Sequence, residues 1–190
     1  MKLLVAMLRH ADTAWSAEGR IQGRSDVPLS DSARAQLRNY RLPALCKDMR
    51  VVTSPLARCI ETAALLGAPR AEREPRLAEM SWGAWEGRRL ADLREELGED
   101  MRENEARGWD FRPAGGESPR DVLARVRPWL KELDRGTVAI SHRGVIRAVF
   151  AAASGWDLRG APPVKLDWGA VHVFRLGADG EPAIECLNLR

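Results

Sequence analysis

Two short apolar runs in this chain each end at a histidine. Leu3 to Leu8 stops at Arg9-His10, and Val138 to Ile140 stops at Ser141-His142. Both runs have the length of a buried strand and both precede a helix-like stretch. The two histidines are therefore expected at carboxyl ends of strands, where an open α/β sheet gathers its chemistry. An imidazole exchanges protons or attacks an electrophile near neutral pH, and a guanidinium holds anionic oxygens with a rigid fork of donors. A third strand-to-helix junction, Ser54 to Arg58, supplies another arginine. Converging histidines and arginines point to a small anionic substrate. A rival use of the same junctions, with His10, Asp12 and His142 as metal ligands, is disfavoured by the arginines beside them, so no metal is expected.

The elements that must position these residues follow from the pattern. Leu3 to Leu8 reads as a central strand covered on both faces. Ser30 caps an Ala/Arg/Leu-rich helix that Pro43 interrupts or ends. Residues 50–53 form the next strand, and Ser54-Pro55 is expected to cap a helix running to Gly67. A charged helix is predicted from about Arg89 to Ala106. Ser118-Pro119 starts another, whose Val122, Val126, Trp129, Leu130 and Leu133 share one face and which Gly136 ends. Strand 137–140, helix 144–153 and a closing hairpin through Asp179-Gly180 complete the chain. Alternating strands and helices predict a three-layer α/β/α domain with a mainly parallel central sheet. Residues 1–190 are expected as one domain, with an irregular, tryptophan-rich insertion at about 80–116 covering the site.

Composition narrows the function classes. The net charge of +3 is small and basic residues are interspersed with acidic ones, so no nucleic-acid partner is expected. No apolar stretch approaches the roughly 20 residues of a membrane helix, so no membrane partner is expected either. The opening apolar run is broken by Arg9, His10 and Asp12 and reads as a strand, not a leader. Cys46, Cys59 and Cys186 show neither metal nor redox spacing, and reduced thiols in a cytoplasmic protein are expected.

Four blocks, in order, carry a resemblance. Leu8-Arg9-His10-Ala11-Asp12-Thr13-Ala14-Trp15 resembles the Arg-His-Gly signature of the histidine phosphatase superfamily, the phosphoglycerate-mutase-like family. Thr53-Ser54-Pro55-Leu56-Ala57-Arg58 resembles its second arginine motif, Leu77-Ala78-Glu79-Met80-Ser81-Trp82-Gly83 its acid-carrying segment, and Ser141-His142-Arg143-Gly144 its second histidine motif. The last block runs on through Val145 and Ile146 to Arg147, so together they span residues 8–147. The resemblance implies a phosphoglycerate-mutase-like fold and hydrolysis of a small phosphorylated metabolite without metal or other cofactor. It implies His10 as the phosphorylated nucleophile and Glu79 as proton donor, with Arg9, Arg58 and His142 holding the phosphoryl group. Surrounding cations would keep His10 neutral, and burial beside Trp82 would keep Glu79 partly protonated.

Further residues are weighed against plain structural roles. Ser16 and Gln22 either face the substrate or hold their loop. Trp82 and Trp109 are the tryptophans expected near the pocket, the others and His172 being packing residues. Glu86 is a nearby carboxylate that competes with Glu79 for the acid role. Three positions depart from the family pattern: Ala11 and Arg143 stand where glycine is usual, and Ser16 where asparagine is common. Ala11 fits if its φ is negative. Arg143 either points outward or adds a substrate-binding cation. Met80 and Trp82 replace an arginine and a tyrosine that mutases carry after the acid. Gly115-Gly116-Glu117-Ser118 is more like the small phosphatase branch, which includes alpha-ribazole-phosphate phosphatases. The rival functions are mutase-type phosphoryl transfer and a phospho-ligand-binding protein with little turnover.

Overall fold

Continuous apolar runs dictate the middle of the sheet. In the computed structural model, which describes residues 2–190, the strands are β1 (Leu3–Arg9), β2 (Arg50–Thr53), β3 (Glu72–Arg73), β4 (Thr137–Ser141), β5 (Val171–Leu176) and β6 (Pro182–Leu189). Their order is β3-β2-β4-β1-β5-β6. The pairings β3–β2, β2–β4 and β4–β1 are parallel, and β1–β5 and β5–β6 are antiparallel. The chain is therefore an α/β protein with a mainly parallel sheet. All five residues of β4 are buried, as a strand covered on both faces requires.

Alternate side chains of the strands feed two cores. Val5, Met7, Ala139 and Phe174 pack against α5 (Pro119–Glu132) and α6 (Arg143–Ser154). Ala6, Leu8, Val138 and Ile140 face the opposite way, against Cys59 and Ala63 of α3 (Ala57–Leu65). The periodic face of α5 is buried as its spacing predicts, each large side chain contributing roughly 1.5–3 kcal/mol. A third, small cluster joins Trp85 to Leu93 and Met101 of α4 (Leu90–Glu105), with Trp82, Leu90 and Phe111 against it. Gly98, at φ 51°, kinks α4.

Caps explain most element boundaries. Ser30 accepts from Ala33 N at the start of α2 (Asp31–Asn39), and Ser118 with Asp121 forms a reciprocal capping box on α5. The β5–β6 hairpin turns at Gly180, φ 80°. Three boundaries differ from expectation. α2 ends at Asn39, short of Pro43, which leads into a 3₁₀ turn instead. α5 ends at Glu132. α3 begins at Ala57 with Leu56 at its cap position and so no side-chain cap, while the Ser54 hydroxyl, two residues earlier, meets His142 at 2.7 Å and accepts from Leu56 N at 3.4 Å.

Candidate active site

Strand register brings the histidines together. β1 and β4 run parallel with Arg9 opposite Ser141, and His10 N donates to Ser141 O at 2.9 Å. The next residue on each strand is a histidine, and the two rings lie 5.1 Å apart. β2 ends at the same level, its Thr53 opposite Ile140. Residues from three strand ends thus converge on one cavity of about 270 Å³, lined by Arg9, His10, Gln22, Arg58, Glu79 and Arg143 among others.

His10 is buried, and its Nδ1 lies 2.7 Å from the carbonyl of Ala11. A carbonyl can only accept, so Nδ1 carries the proton and Nε2 keeps the free lone pair. Burial, then the charges of Arg9 and Arg58, hold the imidazole pKa well below its ordinary value. The ring is neutral at physiological pH and oriented for attack through Nε2. Ala11 is accommodated without strain: only Leu158 and Asn188 among described non-glycine residues have positive φ. Its N–H donates to Thr62 Oγ1 at 3.2 Å.

Arg58 is completely buried. Its terminal nitrogens donate to the carbonyls of Ser25 at 2.8 Å and Gly23 at 2.6 Å. The remaining donors of the five-donor fork, including an unpartnered buried Nε, are left for an anion. The loop that holds Arg58 is itself held by Glu86, whose carboxylate accepts from Arg24 N, Ser25 N and Ser25 Oγ at 2.5–2.9 Å. Glu86 is thereby committed to structure. Gly23 is needed there, since a Cβ would fall 2.0 Å from Glu86 Oε1. Arg9 donates to Asp12 at 3.1 Å and its buried Nε has no partner. Ser16 closes a reciprocal capping box with Thr13 on the short helix α1 (Ala14–Ala17), and Gln22 Nε2 donates to Thr13 Oγ1 at 2.6 Å. Both line the cavity while also bracing this loop.

His142 is fully buried at the amino end of α6. Ser54 Oγ lies 2.7 Å and Cys59 Sγ 3.4 Å from its Nε2. Burial, then His10 and Arg58, lowers its pKa well below the usual value. The Cys59 thiol is pushed up by its own burial, so it stays protonated.

Glu79 is buried, and its carboxyl accepts from Met80 N at 2.8 Å and Gly144 N at 3.1 Å. Burial raises its pKa, opposed by those two backbone donors. Gly144 makes this approach possible, because a Cβ there would lie 2.4 Å from Glu79 Oε1. The segment carrying Glu79 is fastened from α5. Arg125 donates to the carbonyls of Ala78 at 2.7 Å and Glu79 at 3.2 Å, and pairs with Glu117 at 3.1 Å. Glu117 in turn accepts from Ser81 N at 2.9 Å.

Trp82 lines the cavity, but Trp109 packs against the α5–α6 core instead. Its position follows from the turn at 108–110, which the irregular sequence did not predict. His172 is a buried sheet residue. Arg143 lines the cavity with its guanidinium 5.0 Å from the Trp168 ring. Four contributors were not singled out from sequence: Arg147, which also lines the cavity, Ser54, Gly144 and Arg125. Arg147 could have been found, lying one helical turn beyond Arg143. No group of three or more His, Cys, Asp or Glu side chains among the described residues is placed to hold one metal ion, and Asp12 is turned towards Arg9 and Ser16. No helix among them is long and apolar enough to cross a membrane.

Residues 5–190 match the family model for the histidine phosphatase superfamily (branch 1). The chain belongs to that superfamily. It is 31% identical over 198 residues to a glucosyl-3-phosphoglycerate phosphatase of Mycolicibacterium vanbaalenii, covering 94% of this chain and 87% of that one. It is 29% identical over 196 residues to a 2,3-bisphosphoglycerate-dependent phosphoglycerate mutase of Beijerinckia indica, covering 94% of each. A solved structure named mycobacterial hydrolase 1 superposes with a TM-score of 0.79 at 26% identity, covering 100% of this chain and 99% of that one.

Proposed function

We propose that this protein is a metal-independent phosphomonoester hydrolase that works through a phosphohistidine at His10, on a small phosphorylated metabolite. The observation that carries this is the orientation of His10: neutral, its Nδ1 proton given to the Ala11 carbonyl, in one cavity with Arg9, Arg58 and the buried Glu79.

The step can be written from these residues. Arg9, Arg58 and His142 hold the phosphoryl oxygens and spread the charge that develops on them. His10 Nε2 forms a bond to phosphorus as the bond to the ester oxygen breaks. Glu79, kept partly protonated by burial, gives its proton to the departing alcohol. The resulting carboxylate then takes a proton from water as that water attacks phosphorus. Cleavage of the N–P bond returns the histidine, releases inorganic phosphate and restores the acid.

The mutase among the relatives shares the first half of this sequence with a phosphatase. Met80 and Trp82 at the positions after the acid favour water as the final acceptor. In chelator-treated buffer, the protein is expected to release inorganic phosphate from 4-nitrophenyl phosphate. His10→Ala should lower kcat/KM by about a thousandfold or more. Binding of phosphoesters without phosphate release would overturn the hydrolase reading in favour of a ligand-binding protein. Isomerisation of 3-phosphoglycerate without net phosphate release would overturn it in favour of a mutase.

A further inference from the structure

Helix α6 carries two cations that the phosphoryl clamp does not use. Arg143 is exposed at the mouth of the catalytic cavity and Arg147 is half-buried deeper in it. Four residues apart on one helix, they project from the same face, about 6 Å apart along the axis. Each guanidinium lies over an indole ring, Arg143 at 5.0 Å from Trp168 and Arg147 at 5.3 Å from Trp156. Stacking fixes the plane of a guanidinium while leaving its N–H edges free. Among the described residues, neither makes a hydrogen bond or an ion pair. The other arginines around the cavity differ. Arg9 is paired with Asp12, Arg20 with Glu18, and Arg58 donates to two carbonyls.

Charge balance sharpens the point. Arg9 shares its charge with Asp12, whereas Arg143 and Arg147 face the same space with no carboxylate paired to either among the described residues. Burial already disfavours the Arg147 charge, and Arg143 adds like-charge repulsion, so an anion bridging the pair would relieve both. Arg147 also borders a second cavity of about 410 Å³, walled by Met80, Trp82, Leu90, Phe111 and Leu158. The two cavities share Trp82, Leu90, Gly144 and Arg147. A leaving group that extends from the phosphoryl into this second cavity passes Arg147.

We propose that Arg143 and Arg147 form a second anion subsite that reads the leaving group. The substrate is then a phosphomonoester whose alcohol carries a carboxylate or a second phosphate. This rests on the hydrolase reading above and adds the class of its substrate.

The test compares kcat/KM for three aryl esters: phenyl phosphate, 3-carboxyphenyl phosphate and benzene-1,3-diyl bisphosphate. The native protein should prefer at least one of the anionic esters by about tenfold or more, as charge-assisted contacts imply. Whichever is preferred identifies the anion as carboxylate or phosphate. The preference should collapse towards unity in the Arg143→Gln/Arg147→Gln double variant and return in part with Arg147→Lys. Arg143→Gln alone, at an exposed position, guards against misfolding and should lower the ratio by about threefold. An unchanged ratio in these variants, with phenyl phosphate still hydrolysed, would overturn the subsite and leave the hydrolase standing. Failure to hydrolyse any of the three esters would overturn the hydrolase reading and the subsite with it.

Discussion

Glu79 and His10 are displaced in opposite directions by the same burial. Removal from water disfavours the charged form of each, so the carboxyl holds its proton above the usual carboxylate range and the imidazole loses its proton below the usual histidine range. The first chemical step needs neutral His10 and protonated Glu79. Its kcat/KM therefore rises with pH as His10 deprotonates, below 6.5, and falls as Glu79 deprotonates, above 4.5. Glu79→Gln should keep the acid limb and remove the alkaline one. Taking the ratio of variant to native at each pH cancels the substrate's own ionisation. The loss should be about a hundredfold or more for an alkyl phosphate and small for an aryl ester whose phenolate leaves unaided. An equal loss for both ester types would contradict the proton-donor role. Glu86, the competing carboxylate, is surrounded by donors from Arg24, Ser25 and Trp82. The motif resemblance favoured Glu79 over Glu86, but which backbone N–H groups each carboxylate meets was not legible in the sequence.

At the scale of elements, the amino end of α6 organises the acid. His142 precedes the helix, Arg143 opens it, and Gly144 N meets the Glu79 carboxyl. Gly144→Ala should displace that carboxyl, since the added methyl would sit 2.4 Å from Oε1. A shift of about 1 Å at a reacting group costs on the order of a hundredfold. Phosphate release from an alkyl ester should fall by that factor while helical content is unchanged; activity within twofold of native would contradict the contact. Strand ends at His10 and His142 were legible because a strand and its following helix are local patterns. The Arg125–Glu117 brace was not, because it spans 46 residues between Arg125 and the Glu79 carbonyl. Ser54 was misread for a related reason. Ser-Pro before a helical stretch has the local form of a cap, but the helix starts later, with Leu56 at its cap position, and the hydroxyl lies against a histidine 88 residues away.

Across the whole molecule, sheet order does what no single motif can. β4 lies between β2 and β1, so Arg58 after β2, His142 after β4 and His10 after β1 arrive side by side although widely separated in sequence. Alternating strands and helices made the α/β class legible, and four motifs at strand ends and loops made the site legible. Within residues 80–116 the charged helix was legible, but its kink at Gly98 and the path around it, with its own small cluster, were not, because those contacts are set by tryptophans and glycines without periodicity. Net charge of +3 hides a local concentration of arginines that only the fold assembles. The central claim is that His10 Nε2 becomes covalently phosphorylated during turnover. Rapid quenching with a radiolabelled aryl phosphate, followed by peptide mapping under alkaline conditions, measures this directly. The account predicts acid-labile label on His10 that appears within a turnover, decays as phosphate is released, and is absent in His10→Ala. Phosphate release at the native rate with no labelled protein, or label that persists in His10→Ala, would contradict it.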